Sequence, residues 1–210
     1  MKIKNIIFDL GGVLLNIDYN LTIQAFKELG IKDFEKLYTQ IQQTDLFNQY
    51  EMGLISNDEF ISTLKSFHEE EVSDKMIIDA WNAMLLDLPK ERLDLLSNLR
   101  KNYSLVLLSN TNFIHLEFFS SYLKTEYQID DLSEYFDQLY YSCDLNMRKP
   151  NKEIFEYVCK KEKFNKRETL FIDDTIQHVN GALSAGLKSL HLDINKESVV
   201  DLIQKEVINF

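Results

Sequence analysis

Little in this chain supplies covalent or conformational constraint. Its only cysteines, Cys143 and Cys159, are too few for a disulfide framework or a thiolate metal site. Two prolines and six glycines among 210 residues leave no Pro/Gly-rich linker, and no repeat or low-complexity tract is visible. Long apolar runs are missing as well. Stretches such as Leu105-Val106-Leu107-Leu108 are far too short to cross a bilayer. Near the start, Asp9 interrupts the apolar segment, which excludes a signal peptide and points to the cytoplasm. Positive charge is scarce: 23 Lys and Arg face 34 Asp and Glu, for a net charge of -11. No basic stretch rises above this background, which argues against nucleic-acid and anionic-membrane partners. The acidity serves solubility, and it also repels an anionic substrate at long range, so local cations must bring such a substrate in.

What is present is an alternation of short apolar runs with longer helical periodicity, the signature of an α/β protein with a parallel sheet flanked by helices. The expected strands are Lys4–Asp9, Ser104–Asn110, Gln138–Cys143, Thr169–Asp173 and Lys188–Leu192. Nearly a hundred residues separate the first two, and they read as consecutive helices at Tyr19–Leu29, Phe34–Gln43, Asp58–Phe67 and Lys75–Met84. Ser56 and Glu59 form a candidate capping box for the third, and Gly30 a stop for the first. This predicts a helical cap domain at 17–86 inserted into a core formed by 1–16 and 87–210.

Four strand ends carry reactive side chains. The first run, Ile6-Ile7-Phe8, ends on Asp9 followed by Leu10-Gly11-Gly12. A carboxylate there, beside glycines that admit a close backbone approach, can act as a metal ligand, a nucleophile or both. The second run ends Ser109-Asn110-Thr111-Asn112, the third leads into Arg148-Lys149-Pro150, and the fourth ends Asp173-Asp174-Thr175. Taken singly, Ser109 would serve as a helix cap, Lys149 as a surface lysine, and Asp173-Asp174 as a helix start. In an open parallel sheet, however, carboxyl ends line one crevice, so all four should converge.

With these motifs in view, the chain resembles the haloacid dehalogenase-like superfamily of hydrolases. Asp9-Leu10-Gly11-Gly12-Val13, Ser109-Asn110, Lys149-Pro150 and Asp173-Asp174 correspond to its four motifs. The segment Tyr50-Glu51-Met52-Gly53-Leu54-Ile55-Ser56 with Glu59-Phe60, and Ser109-Asn110-Thr111-Asn112 with His115, is similar to one branch. That branch has a small helical cap and includes alpha-D-glucose-1-phosphate phosphatases and the N-terminal domain of epoxide hydrolases. The resemblance implies a Rossmann-like core of five parallel strands and a Mg2+-dependent phosphatase acting on a small phosphorylated metabolite. It further implies Asp9 as nucleophile, forming an aspartyl-phosphate. Asp9, the Gly11 carbonyl, Asp173 and Asp174 are the implied metal ligands, and Ser109, Asn110 and Lys149 hold the phosphoryl oxygens. The double Asp favours phosphoryl transfer over dehalogenation, which needs no cation.

One position departs from the pattern. Most phosphatases of this superfamily carry a general acid two residues after the nucleophile, and here that residue is Gly11. General acid–base help is worth roughly a hundredfold to ten-thousandfold. The expectation is therefore a substrate with a good leaving group, such as glucose 1-phosphate, or a substitute acid, for which His115 is the preferred candidate ahead of Asp18 and His178. Tyr50, Glu51 and Trp81 are candidates to face the crevice, although aromatics at helical spacing usually pack in cores. The competing reading is a catalytically weakened metal-binding, phosphate-binding or partner-binding protein. One chain contains the whole proposed site, so both a monomer and a dimer are compatible with it.

Overall fold

The computed structural model describes residues 2–31, 34, 38, 45–67 and 71–206. Five strands form one sheet in the order β3-β2-β1-β4-β5. They are β1 (Asn5–Phe8), β2 (Ser104–Ser109), β3 (Gln138–Tyr141), β4 (Thr169–Asp173) and β5 (Lys188–His191), and every pairing is parallel. Four of the five expected strands are one or two residues longer than the element that forms; Thr169–Asp173 matches. At the third, Ser142 and Cys143 turn into a short helix instead of extending the strand.

The central strands are apolar on both sides because helices cover both faces. Ile6, Phe8, Leu105, Leu107, Leu170 and Ile172 join one buried cluster, while Ile7, Val106, Leu108 and Phe171 join another across the sheet. This period of two fixes the register, since a slip of one residue would exchange the two faces.

Between β1 and β2 the regular elements are α1 (Tyr19–Glu28), α2 (Asp45–Glu51), α3 (Asn57–Lys65), α4 (Asp74–Asn82) and α5 (Lys90–Leu99). Asp18 caps α1 by accepting from Asn20 N–H, and Gly30 follows its end at φ +94°. Ser56 and Glu59 make the expected reciprocal capping box on α3. Helix α2 was not anticipated; its apolar Leu46, Phe47 and Tyr50 are too few to show a period. The expected helix Phe34–Gln43 lies outside the described residues except for Phe34 and Tyr38. The insertion has its own buried cluster, rich in rings: Phe26 stacks on Phe34 at 4.2 Å and Tyr50 on Phe60 at 3.9 Å. Its link to the sheet region includes the stack of Trp81 on His115 at 4.8 Å.

The remaining helices are α6 (Phe113–Tyr127), α7 (Ser142–Leu145), α8 (Lys152–Lys161), α9 (Ile176–Ser184) and α10 (Val199–Glu206). Helices α6 and α9 start directly beyond the ends of β2 and β4, so both strand ends and both helix starts border the same crevice. Among the described residues, no helix is long and apolar enough to cross a membrane.

Candidate active site

Asp9 stands one residue beyond β1, with its N–H still bonded to Ile172 O at 3.0 Å. Its Oδ1 accepts from the Leu10 N–H at 2.7 Å and pairs with Lys149 Nζ at 2.7 Å. Lys149 is fully buried and reaches Asp173 Oδ2 at 2.7 Å as well. A buried lysine between two carboxylates is an arrangement that holds only if charge is matched. Burial alone would favour the neutral amine, but Asp173 and Asp9 outweigh it and hold the Lys149 pKa above the ordinary lysine value.

The two carboxylates separate in character. Burial and the neighbouring Asp173 charge push the Asp9 pKa well above the usual range, against the pull of Lys149. Burial acts on Asp173 in the same direction, yet Lys149 and His178 override it and keep its pKa below the usual range. Asp173 also accepts from Thr175 N–H at 2.8 Å, and His178 Nδ1 lies 3.1 Å from both of its oxygens. Asp9, Asp173 and His178 thus offer three ligand atoms within 4.8 Å of one another. Asp173 is turned inward toward Lys149, while Asp174 lines the cavity.

That cavity, of about 80 Å³, opens at the strand ends and is lined there by Asp9, Gly11, Ser109, Asn110, Asp174 and Thr175. Gly12 takes φ +75°, and a Cβ placed on it would collide with the Asp174 carboxylate. Glycine is therefore needed on two counts, conformation and space. A Cβ on Gly11 would instead meet Ile17 Cδ1, so the volume that a longer side chain would use holds the end of an isoleucine.

The expected phosphate-binding set is brought together, with one difference in role. Ser109 is buried at the cavity wall. Asn110, by contrast, clamps the Lys149 peptide: its Oδ1 accepts from Lys149 N–H at 2.9 Å and its Nδ2 donates to Lys149 O at 2.9 Å. A side chain used twice in this way positions the lysine.

The candidate substitute acids fare differently. His115 lines the cavity but is buried; its Nδ1 lies 2.8 Å from Asn82 Oδ1 and its Nε2 has no hydrogen-bond partner. Burial drives its pKa down to about 3, so it is neutral near pH 7 and holds no acidic proton to give. That burial argues against the expected role of His115 as an acid. Burial lowers the His178 pKa too, against the opposing Asp173 charge. Asp18 is engaged as the α1 cap.

The cavity lining extends beyond the strand-end motifs. Tyr50 and Trp81 are core residues, but Glu51 lines the cavity with Tyr19, Tyr38 and Arg148. Arg148 Nε and Nη2 reach Glu51 Oε2 at 3.1 and 2.8 Å, and its Nη1 donates to Asn48 at 2.6 Å. Ser142 ties this lining to the sheet: it accepts from Thr111 N–H at 2.9 Å and donates to Glu51 O at 2.6 Å. The only signal for Arg148 was its position beside Lys149 on a strand-end loop.

Comparison with known proteins agrees with this geometry. A family model described as haloacid dehalogenase-like hydrolase matches residues 3–186. The D-ribitol-5-phosphate phosphatase of Bacteroides thetaiotaomicron is 35% identical over 189 residues, 89% of this chain and 90% of that protein. The sesquiterpene phosphatase of Aspergillus oryzae is 28% identical over 202 residues, covering 96% and 95%. Among solved structures, a haloacid dehalogenase family enzyme of Bacteroides thetaiotaomicron in complex with magnesium and inorganic phosphate superposes with a TM-score of 0.87. Its identity is 35%, covering 93% of this chain and 96% of that one. A hydrolase of Porphyromonas gingivalis gives a TM-score of 0.86 at 32% identity, covering 98% of each chain. This chain belongs to the haloacid dehalogenase-like hydrolases.

Proposed function

We propose that the protein is a Mg2+-dependent phosphatase that releases inorganic phosphate from a small phosphorylated metabolite, with Asp9 as nucleophile. The observation that carries this reading is the charge arrangement at the strand ends. Asp9 and Asp173 share the buried Lys149 while the Asp174 charge also acts on Asp9, and that surplus of carboxylates suits a hard divalent cation with oxygen ligands. Asp9, the Gly11 carbonyl and Asp174 would hold it, with Asp173 contributing through water while it anchors Lys149. Bound there, Mg2+ would offset the repulsion between the nucleophile and a phosphate dianion.

The chain's own groups do the rest. One oxygen of Asp9 is fixed by the Leu10 N–H and Lys149; an Asp9 oxygen attacks phosphorus, the P–O bond to the substrate breaks, the departing alkoxide takes a proton from water, and an aspartyl-phosphate forms. Lys149 balances the charge on the phosphoryl oxygens, and Ser109 donates to them. Asn110 keeps the Lys149 peptide in place. Water then cleaves the acyl phosphate and restores Asp9. Residues 17–86 act as the cap over the cavity.

Two finer readings of the substrate compete. A sugar 1-phosphate suits the missing acid at Gly11, whereas the relative that acts on D-ribitol 5-phosphate favours a phosphorylated polyol. Phosphate release from both compounds, with Mg2+ and after its removal by chelation, tests the reading. Release that does not depend on Mg2+ would refute it.

A further inference from the structure

The cavity has further lining that the proposed chemistry does not use. Glu51 and Arg148 stand there as a buried pair, joined by Tyr19 and Tyr38, whose rings lie 6.1 Å apart. His115 completes it from α6. Because Asn82 Oδ1 accepts from its Nδ1–H, the Nε2 carries a lone pair, and that buried nitrogen has no partner among the described residues. A buried acceptor left without a partner is costly until a donor reaches it, and His115 is among the residues that line the cavity.

The lining therefore includes a carboxylate, a guanidinium, two phenols and an imidazole. A carbon chain bearing hydroxyls supplies donors and acceptors to such a surface at successive carbons. A hydrocarbon chain supplies none, and it would strip water from Glu51 and Arg148 while leaving His115 unpaired. Leu15, Met84 and Leu85 also line the cavity and fit the C–H faces that either chain presents.

Resting on the phosphatase reading, we infer that Glu51, Arg148 and His115 form a hydroxyl-recognition wall that selects phosphate esters of polyhydroxylated chains over phosphate esters of hydrocarbon chains. These residues are specificity determinants remote from phosphorus. The inference separates this chain from a relative named as a sesquiterpene phosphatase.

The test compares D-ribitol 5-phosphate with n-pentyl phosphate, which has the same carbon count and no hydroxyls, with p-nitrophenyl phosphate as a third substrate. The wild type should prefer the ribitol ester by at least about a hundredfold in kcat/KM, since a site built for hydroxyls rejects an analogue lacking them. His115→Phe keeps a ring on Trp81 but removes the acceptor, and Glu51→Gln removes the charge. Each should lower the ribitol-to-pentyl ratio about tenfold, a loss that misfolding alone does not produce because it scales both rates equally. A wild-type ratio near one, or ratios unchanged in both variants, would overturn the inference and leave the phosphatase reading standing. So would turnover of p-nitrophenyl phosphate with neither five-carbon ester cleaved. No turnover of any of the three would overturn the phosphatase reading itself.

Discussion

Replacing Lys149 by Met isolates the electrostatic core of the site. Lys149 Nζ sits 2.7 Å from both Asp9 and Asp173, and neither it nor Asp173 is exposed. Methionine conserves most of the volume, so little is lost in packing. What remains is a pair of buried carboxylates without their cation, and breaking a buried pair in this way costs about 3–5 kcal/mol. For a domain of this size about 2–4 °C of Tm accompanies each kcal/mol, which makes the expected fall roughly 6–20 °C. The measurement is thermal unfolding by circular dichroism in chelator, so that no cation substitutes for the lysine. Adding Asp173→Asn removes one of the stranded charges, and the double variant should recover at least about 1 kcal/mol relative to the sum of the single effects. The sign with pH is also fixed. Without Lys149 the carboxylates favour protonation in the folded state, so the deficit should shrink from pH 8 to pH 5. A Lys149→Met variant within about 1 kcal/mol of wild type at pH 8, or strictly additive single effects, would refute the reasoning.

Gly12→Ala should raise the Mg2+ concentration needed for half-maximal activity by about tenfold or more, because the new Cβ displaces Asp174. Gly186→Ala makes the control: φ is +92° there as well, but the Cβ would meet Lys166 Cδ at an ordinary 3.7 Å, so stability falls by about 1–2 kcal/mol with no change in Mg2+ dependence. His115 should make the protein acid-sensitive. Its folded pKa of about 3 lies below the unfolded 6.5, so its contribution is complete above pH 6.5 and is lost as pH falls toward 3. Between pH 7.5 and 4.5 the wild type should lose roughly 2.5 kcal/mol more than His115→Phe, read from urea unfolding at both pH values. Equal losses would refute burial as the cause.

The sheet was legible in the sequence because its strands are unambiguous. Ile6-Ile7-Phe8, Leu105-Val106-Leu107-Leu108 and Leu170-Phe171-Ile172 are apolar on both faces, which only a helix-covered parallel sheet explains. Asp9, Asp173 and Asp174 were legible for a related reason, since they stand at the ends of such runs, where ligands bind, whereas Lys149 lies on the loop beyond β3 and α7. Roles were harder to read than positions. Asn110 and Ser109 are neighbours in sequence, but whether an amide faces the cavity or the Lys149 peptide depends on a contact across 39 residues. The neutrality of His115 depends on Trp81, Asn82 and the burial they create, none of which a single chain position encodes. Glu51 and Arg148 are 97 residues apart, and long-range ion pairs leave no periodic trace. Helix α2 escaped because seven residues span barely two turns, too few for a hydrophobic period to emerge.

The most direct test of the central claim is inorganic phosphate release with Mg2+ from D-ribitol 5-phosphate and from glucose 1-phosphate, comparing wild type with Asp9→Asn. Asparagine keeps the shape of Asp9 and removes its nucleophilic oxygen. The account predicts release by the wild type from at least one of the two esters and none above background by the variant. Release by Asp9→Asn at the wild-type rate, or no release by the wild type from either ester, would contradict it.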